Sequence, residues 1–331
     1  MPLVLNEAEV KSILTMPMAL DALDASFQRL ADGTAILHPR RRLHVPKRSY
    51  LHYMAAADGA SGYLGMKVYT SSKGGLRFVV LLFQADSGDL LALIEADYLG
   101  QVRTGAASGI ATRLLARADA KTVGMAGTGL QARTQLEAIA YVRKIESVRA
   151  YSRKEEHRED FARTMSAQLG IRVTPVATAE EAIRGTDIVV AATTASQPVI
   201  EGKWLAPGVH INAIGANFAE KTELDAAAVL RADRIVADSI EQSREEAGDL
   251  IQAFGGDESR WDEVEELANI VAGKAPGRTS GTQVTLFKSN GIATEDISVA
   301  GRIFEIAKEK GIGRWVGMWG DSGREAEARG L

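Results

Sequence analysis

Three groups of residues in this chain have types and spacings suited to chemistry. The first is Gly127-Thr128-Gly129-Leu130-Gln131-Ala132. It matches G-x-G-x-x-G/A, where the first glycine makes a tight turn, the second lets the backbone approach a pyrophosphate, and a small third residue lets helix lie on strand. A helix opening there offers free N–H groups and a partial positive charge to phosphates. The second group is Tyr151-Ser152-Arg153-Lys154, where the next strand is expected to end. NAD-preferring folds place Asp or Glu near this point, on the ribose hydroxyls. A hydroxyl and two cations suit a 2′-phosphate instead. NADP(H) is therefore the expected cofactor, and Glu155 keeps NAD(H) open. The bland alternative is that Arg153 and Lys154 begin a solvated helix.

The third group is cationic. Arg103 falls in the first turns of an expected helix, where the helix dipole disfavours a cation. Such placement calls for an anionic partner, so Gln101-Val102-Arg103-Thr104-Gly105-Ala106 reads as an anion site, against the alternative of a surface arginine. Lys67 lies in the apolar strand Gly65-Met66-Lys67-Val68-Tyr69, and a strand lysine alone is unremarkable. Arg40, Arg42 and His44 alternate and so share one strand face. That stripe suits either edge protection or a carboxylate pocket.

Elements must hold these groups in place. Asn6 with Glu9 reads as a capping box, and Pro17 opens a helix reaching about Ala31. Strands are expected at Arg40–Val45, Tyr50–Ala55, Tyr63–Thr70, Leu76–Gln84 and Leu90–Ile94. Their short loops imply an antiparallel meander. Asp97 is expected to cap a helix running to about Ala116. Its Gly100, Gly105 and Gly109 imply close approach of backbone or ligand, or tight packing on a sheet. From Lys121 onward strand and helix alternate, the grammar of a doubly wound parallel sheet. The expected strands are one from Thr122 into the glycine turn, the stretch ending at Tyr151, one at Val173, Asp187–Ala192, Val209–Ile214, Arg234–Asp238 and Thr282–Phe287. The helices include Glu156–Leu169, one capped by Thr178 with Glu181, Leu224–Arg231 and Thr294–Lys310. The tail from Asp321 is polar and expected to fray.

Composition bounds the rest. The chain has 331 residues, 46% apolar and 25% charged, which suits a globular protein of two domains. A net charge of −4 argues against nucleic acid or an anionic membrane surface as partner. With no cysteine there is no disulfide, thiolate nucleophile or zinc–thiolate site. No apolar run is long enough to span a bilayer, and no signal peptide is expected. Together these point to the cytoplasm. The histidines show no metal-ligand spacing, so no metal is expected, and no Gly-x-Ser-x-Gly elbow is present.

Taken together, these residues resemble the ornithine cyclodeaminase/μ-crystallin family over almost the whole chain. The carriers are the basic strand Pro39–Pro46, Gly65–Lys67, the Arg-Thr-Gly-Ala-Ala-Ser-Gly run at Arg103–Gly109, Gly127–Ala132, Ile214-Gly-Ala-Asn217, Glu223-Leu-Asp225 and Phe287–Gly291. The resemblance implies an α/β protein with a Rossmann-type doubly wound parallel sheet at residues 119–292. It also implies an α+β substrate-binding and dimerisation domain with an antiparallel sheet, residues 1–118 completed by 293–331. A homodimer is expected. So is hydride exchange with a nicotinamide at the Cα of an amino or imino acid. The family's carboxylate-binding cations carry over to Arg42, Lys67 and Arg103, with Arg40 on the same face as Arg42. Cofactor contacts are expected from Thr104, Gly127, Thr128, Gly129, Leu130, Gln131, Ser152, Arg153, Lys154, Thr193, Lys221 and Ser289.

One departure redirects the expected chemistry. The deaminating cyclases carry aspartate where this chain has Asn217. Asparagine can hydrogen-bond but cannot do acid–base work. That disfavours ornithine cyclodeamination and leaves imine reduction, with Lys67 as proton donor or iminium partner and Asn217 orienting the imine nitrogen. The expectation is an NAD(P)H-dependent reductase of a 2-imino acid, such as pyrroline- or piperideine-2-carboxylate, giving an L-amino acid. An alanine dehydrogenase-like enzyme or a cyclodeaminase is the alternative, and a non-catalytic NADPH-dependent binding protein is the alternative of another class. Burial of Lys67 beside two arginines is expected to lower its pKa.

Overall fold

The computed structural model describes residues 1–318, so the tail from Asp321 lies outside the described residues. The chain opens with β1 (Leu3–Leu5), α1 (Glu7–Ile13) and α2 (Met16–Ala31). Asn6 and Glu9 form the expected capping box, and Thr15 caps α2 with Pro17 in its first turn. Five strands follow: β2 (Ala35–Val45), β3 (Ser49–Asp58), β4 (Tyr63–Ser72), β5 (Gly75–Gln84) and β6 (Leu90–Glu95). They pair in sequence as an antiparallel meander. The three-residue β1, too short to show a periodicity, adds to β6 in parallel.

Helix α3 (Asp97–Leu115) comes next. Asp97 is its first helical residue rather than its cap. The free N–H groups are met by Glu7, whose carboxylate accepts from the Asp97 N–H at 2.5 Å and the Tyr98 N–H at 3.2 Å. Gly105 and Gly109 serve helix–helix packing rather than a sheet, while a Cβ on Gly100 would meet nothing within 4 Å. A Cβ on Gly105 would lie 2.4 Å from the Thr134 carbonyl oxygen, and one on Gly109 would press on Leu20 and Ala138.

The second half alternates strand and helix. It comprises β7 (Thr122–Ala126), α4 (Leu130–Val142), β8 (Ser147–Tyr151), α5 (Glu155–Leu169), β9 (Arg172–Pro175), α6 (Ala179–Ile183), β10 (Ile188–Ala191), β11 (His210–Ala213), α7 (Ala226–Leu230) and β12 (Arg234–Ala237). Residues 239–281, for which the sequence offered no elements, hold α8 (Ile240–Glu246), α9 (Gly248–Phe254), β13 (Val264–Glu266) and α10 (Leu267–Val271). All are short, below the length at which a helical period is readable. The chain closes with β14 (Thr285–Lys288), α11 (Ala293–Lys310) and β15 (Arg314–Trp315).

Two sheets result. The first runs β15-β1-β6-β5-β4-β3-β2 and the second β13-β12-β14-β11-β10-β7-β8-β9. Every pairing in the second is parallel. Its central strands β10, β11 and β14 are buried throughout, as a sheet covered on both faces requires. The strand order reverses between β7 and β10, the switch point at which open α/β sheets bind ligands. Helix α11 returns across the first sheet. Its Ile297, Ala300, Ile303 and Phe304 join one core with Leu20, Leu23 and Phe27 of α2, Met54 of β3 and Val80 of β5. Gly65 permits that approach, since a Cβ there would meet Leu81 O at 2.4 Å and Ile297 Cδ1 at 2.7 Å.

Candidate active site

At the switch point the glycine turn has the geometry its sequence implies. Gly127 has φ 106°, and a Cβ there would sit 2.2 Å from the carbonyl oxygen of Ala192, just past β10. Only glycine fits. A Cβ on Gly129 would meet nothing within 4 Å, so the backbone there borders open space. Gly129 is the N-cap of the 13-residue α4 and no side chain caps it. Free N–H groups therefore point out of the turn, as a pyrophosphate requires. A cavity of about 620 Å³ opens here, lined by Gly127, Thr128 and Gly129, by Ser152, Arg153, Lys154 and His157, and by Thr193. Glu155, the residue that kept NAD(H) open, lies 3.4 Å from Arg158.

A second cavity, about 490 Å³, joins the first along Gly129, Ala192, Thr193 and Thr194. It holds Lys67, Arg103, Thr104, Leu130, Gln131, Asn217 and Ser289 from the expected set, together with Arg40, His52 and Tyr69. Arg42 and Lys221 line neither cavity. They flank the Phe218 ring, with the guanidinium 4.5 Å and the ammonium 4.8 Å from its centroid.

Arg40 reaches the interior through a bulge. The β2–β3 register shifts between His38 and Arg41. Before it Ala35 and Leu37 face the core, and after it Arg42 pairs with His52 on that same inner side. The extra residue re-aims Arg40 inward. Glu246 of α8 takes both arginines, one carboxylate oxygen each. Arg40 Nη2 also donates to the carbonyls of Asn290 (2.7 Å) and Gly291 (3.1 Å). Arg42 Nη2 donates to the carbonyl of Asn217 at 2.9 Å. The basic stripe is thus an inter-sheet clamp as well as a cavity wall.

Arg103 does have anionic partners, and they belong to the chain itself. Its Nη1 donates to Glu295 at 2.6 Å, and its Nε lies 2.9 Å from Asp296. Its guanidinium lies on Gly291, where a Cβ would come within 2.3 Å. The helix carrying Arg103 is tied to α4, which follows the glycine turn, by Gln135, whose Nε2 donates to Thr104 O at 3.1 Å. Lys67 is buried, 2% exposed, with Nζ 2.6 Å from Asp296. Burial and then the Arg103 charge bring its pKa down to about 7, against the pull of Asp296. Burial likewise pushes Glu295 up to about 8, despite Arg103. Asp238, raised by burial, accepts the Asn290 and Gly291 N–H groups at 2.7 and 2.6 Å and so shapes the Ser289–Gly291 turn.

Glu246, Glu295 and Asp296 were not anticipated. Glu295 and Asp296 open α11, and acids are common in a first helical turn for reasons of the dipole alone. Glu246 ends a seven-residue helix with no readable pattern. Among the described residues no group of His, Asp or Glu is placed to hold a metal ion. No helix among them is long and apolar enough to cross a membrane.

Comparison with known proteins places this arrangement. The profile of the ornithine cyclodeaminase/mu-crystallin family matches residues 1–311. Delta(1)-pyrroline-2-carboxylate reductase of Bacillus cereus is 41% identical over 267 residues, 78% of this chain and 82% of that protein. The Thermococcus litoralis Delta(1)-pyrroline-2-carboxylate reductase, solved with NADH and L-proline, superposes with TM-score 0.91 at 36% identity, over 95% of this chain and 100% of that one. An archaeal alanine dehydrogenase dimer with bound NAD gives TM-score 0.90 at 33% identity, over 96% and 99%.

Proposed function

The chain belongs to the ornithine cyclodeaminase/mu-crystallin family, and we propose that it reduces a 2-imino acid to an L-amino acid with a reduced nicotinamide dinucleotide. The substrate is a cyclic ketimine such as pyrroline-2-carboxylate or piperideine-2-carboxylate. The observation that carries this is Lys67, a buried amine with its pKa near 7, set beside two arginines in a cavity continuous with the dinucleotide groove.

The bound nicotinamide supplies the hydride. The chain's own residues do the rest. Arg103 and Arg40 hold the carboxylate, Arg40 taking the place expected for Arg42 because it lines the cavity and Arg42 does not. Burial favours the neutral form of Glu295, which makes the cluster more receptive to a further negative charge. Lys67 in its protonated form gives its proton to the imine nitrogen, and the iminium carbon then accepts hydride with no further protonation. Asp296 holds the Lys67 ammonium in place. Arg42 positions the Asn217 backbone, and the Asn217 amide orients the nitrogen without titrating.

NADP(H) is the preferred cofactor in this reading, because Ser152, Arg153, Lys154 and His157 border the cavity where a 2′-phosphate would lie; NAD(H) remains usable. The outer face of the first sheet supports a homodimer. Ile36, Ala55, Ala57, Leu64, Met66 and Phe83 line an apolar hollow there, and Ile36 and Leu43 are 64% and 60% exposed. We keep the division into residues 119–292 and residues 1–118 completed by 293–331, and the cytoplasmic location, as parts of the same proposal.

The test is NADPH consumption with pyrroline-2-carboxylate, piperideine-2-carboxylate and pyruvate plus ammonium. Turnover of a cyclic ketimine, faster with NADPH than NADH, is expected. No turnover of any of them would leave the non-catalytic binder as the reading.

A further inference from the structure

We infer that Tyr69 contacts the substrate in this site, its hydroxyl donating a hydrogen bond to the substrate carboxylate. This rests on the imino-acid reading above. Tyr69 lies two residues beyond Lys67 on β4, so both side chains project from the same face, about 7 Å apart along the strand. Its ring stacks on His52 at 4.3 Å and 2°, and on Phe78 at 4.7 Å and 27°. These are its cross-strand neighbours on β3 and β5. With both faces covered, only the ring edge and the hydroxyl remain for a ligand. The residue lines the cavity while being 8% exposed, and its hydroxyl makes no hydrogen bond among the described residues.

Counting donors shows why such a group is needed. A carboxylate offers about four acceptor positions. Arg40 contributes charge but few free donors, since Nη1 and Nη2 serve Glu246, Asn290 and Gly291 and its Nε is sealed from solvent. Arg103 has Nη1 on Glu295 and Nε against Asp296, which leaves Nη2. Lys67 is shared with Asp296 and is required at the nitrogen. The Tyr69 hydroxyl, on the same strand face as Lys67, is a further donor on this wall. Arg40 lines the same cavity. His52 acts through Tyr69 as a positioning residue. Its ring is fixed by the stack and by the contact of Nε2 with the Ser71 hydroxyl at 3.0 Å.

Tyr69→Phe keeps the stack and removes only the donor. With NADPH and the cyclic ketimine, KM is expected to rise about tenfold or more while kcat stays within about twofold, with an unchanged melting temperature. His52→Ala should raise KM less, about threefold, and should add nothing in the Tyr69→Phe background. Binding of pyrrole-2-carboxylate to the NADP⁺-loaded protein provides a readout free of turnover, and Tyr69→Phe should weaken it to the same degree. An unchanged KM and analogue affinity in Tyr69→Phe overturns the inference, as does a loss confined to kcat. So does a His52→Ala effect of equal size in both backgrounds. A wild type that reduces no imino acid sinks the proposed function, and the analogue then decides the Tyr69 contact alone. Failure of the wild type to bind the analogue sinks both.

Discussion

The two ends of the ligand groove are built from opposite materials. At the dinucleotide end the surface is main chain, made by small residues within six consecutive positions, Gly127 to Ala132. What matters there is absence: one extra methyl on Gly127 would strike the Ala192 carbonyl. At the substrate end the surface is charged side chain, with Arg40, Lys67, Arg103, Glu246 and Glu295–Asp296 drawn from positions spread along most of the chain. What matters there is balance, because each buried cation must be met by a carboxylate that is itself buried. Gly127 tolerates no addition, and the charge cluster tolerates no subtraction.

That contrast can be broken or sharpened in order of effect. Lys67→Met should lower kcat/KM about 10³-fold while leaving NADPH affinity unchanged. A matching loss of cofactor affinity would show the two ends to be one unit. In the wild type, reduction should be fastest below the Lys67 pKa of about 7, where the amine is protonated, and fall as pH rises through it. The stability sign is separate. The folded pKa lies below the unfolded value of 10.5, so between about 7 and 10.5 the unfolded chain binds the proton more readily. Stability therefore rises with pH across that window, and Lys67→Met should flatten the slope in pH-dependent denaturation. Gly127→Ala comes next. It should weaken NADPH and NADH alike, about 10²-fold, and lower the melting temperature, since φ 106° adds backbone strain to the clash. Arg153→Ala is the gentlest, with NADPH about tenfold weaker and NADH unchanged. Equal loss of both would remove the 2′-phosphate contact from the account.

The same contrast explains what could be read in advance. The glycine turn is a local pattern whose strand–turn–helix setting was also local, so β7, α4 and β8 were legible together. Arg103 was legible from a conflict, a cation at the wrong end of a helix, and a conflict points to a partner without saying whose it is. Glu295 and Asp296 answer it from 192 and 193 positions away, under the cover of an ordinary acidic first turn. Alternation puts Arg40 and Arg42 on one strand face and does not reveal that Arg40 lines the cavity while Arg42 sits over Phe218. Residues 239–281 gave no pattern because their helices span five to seven residues, yet they supply Glu246.

Helix α11 gives the architecture a temporal side. The inner face of the first sheet is closed by Ile297, Ala300 and Phe304, which follow α3 by roughly 190 residues. At about 5–20 residues per second, a ribosome needs roughly 10–40 s to deliver them after α3 has emerged. For that interval the meander waits with its apolar inner side uncovered, while the parallel sheet is still being made. Among the described residues, the last long helix to leave the ribosome both seals the core and brings the counter-charges to Lys67 and Arg103.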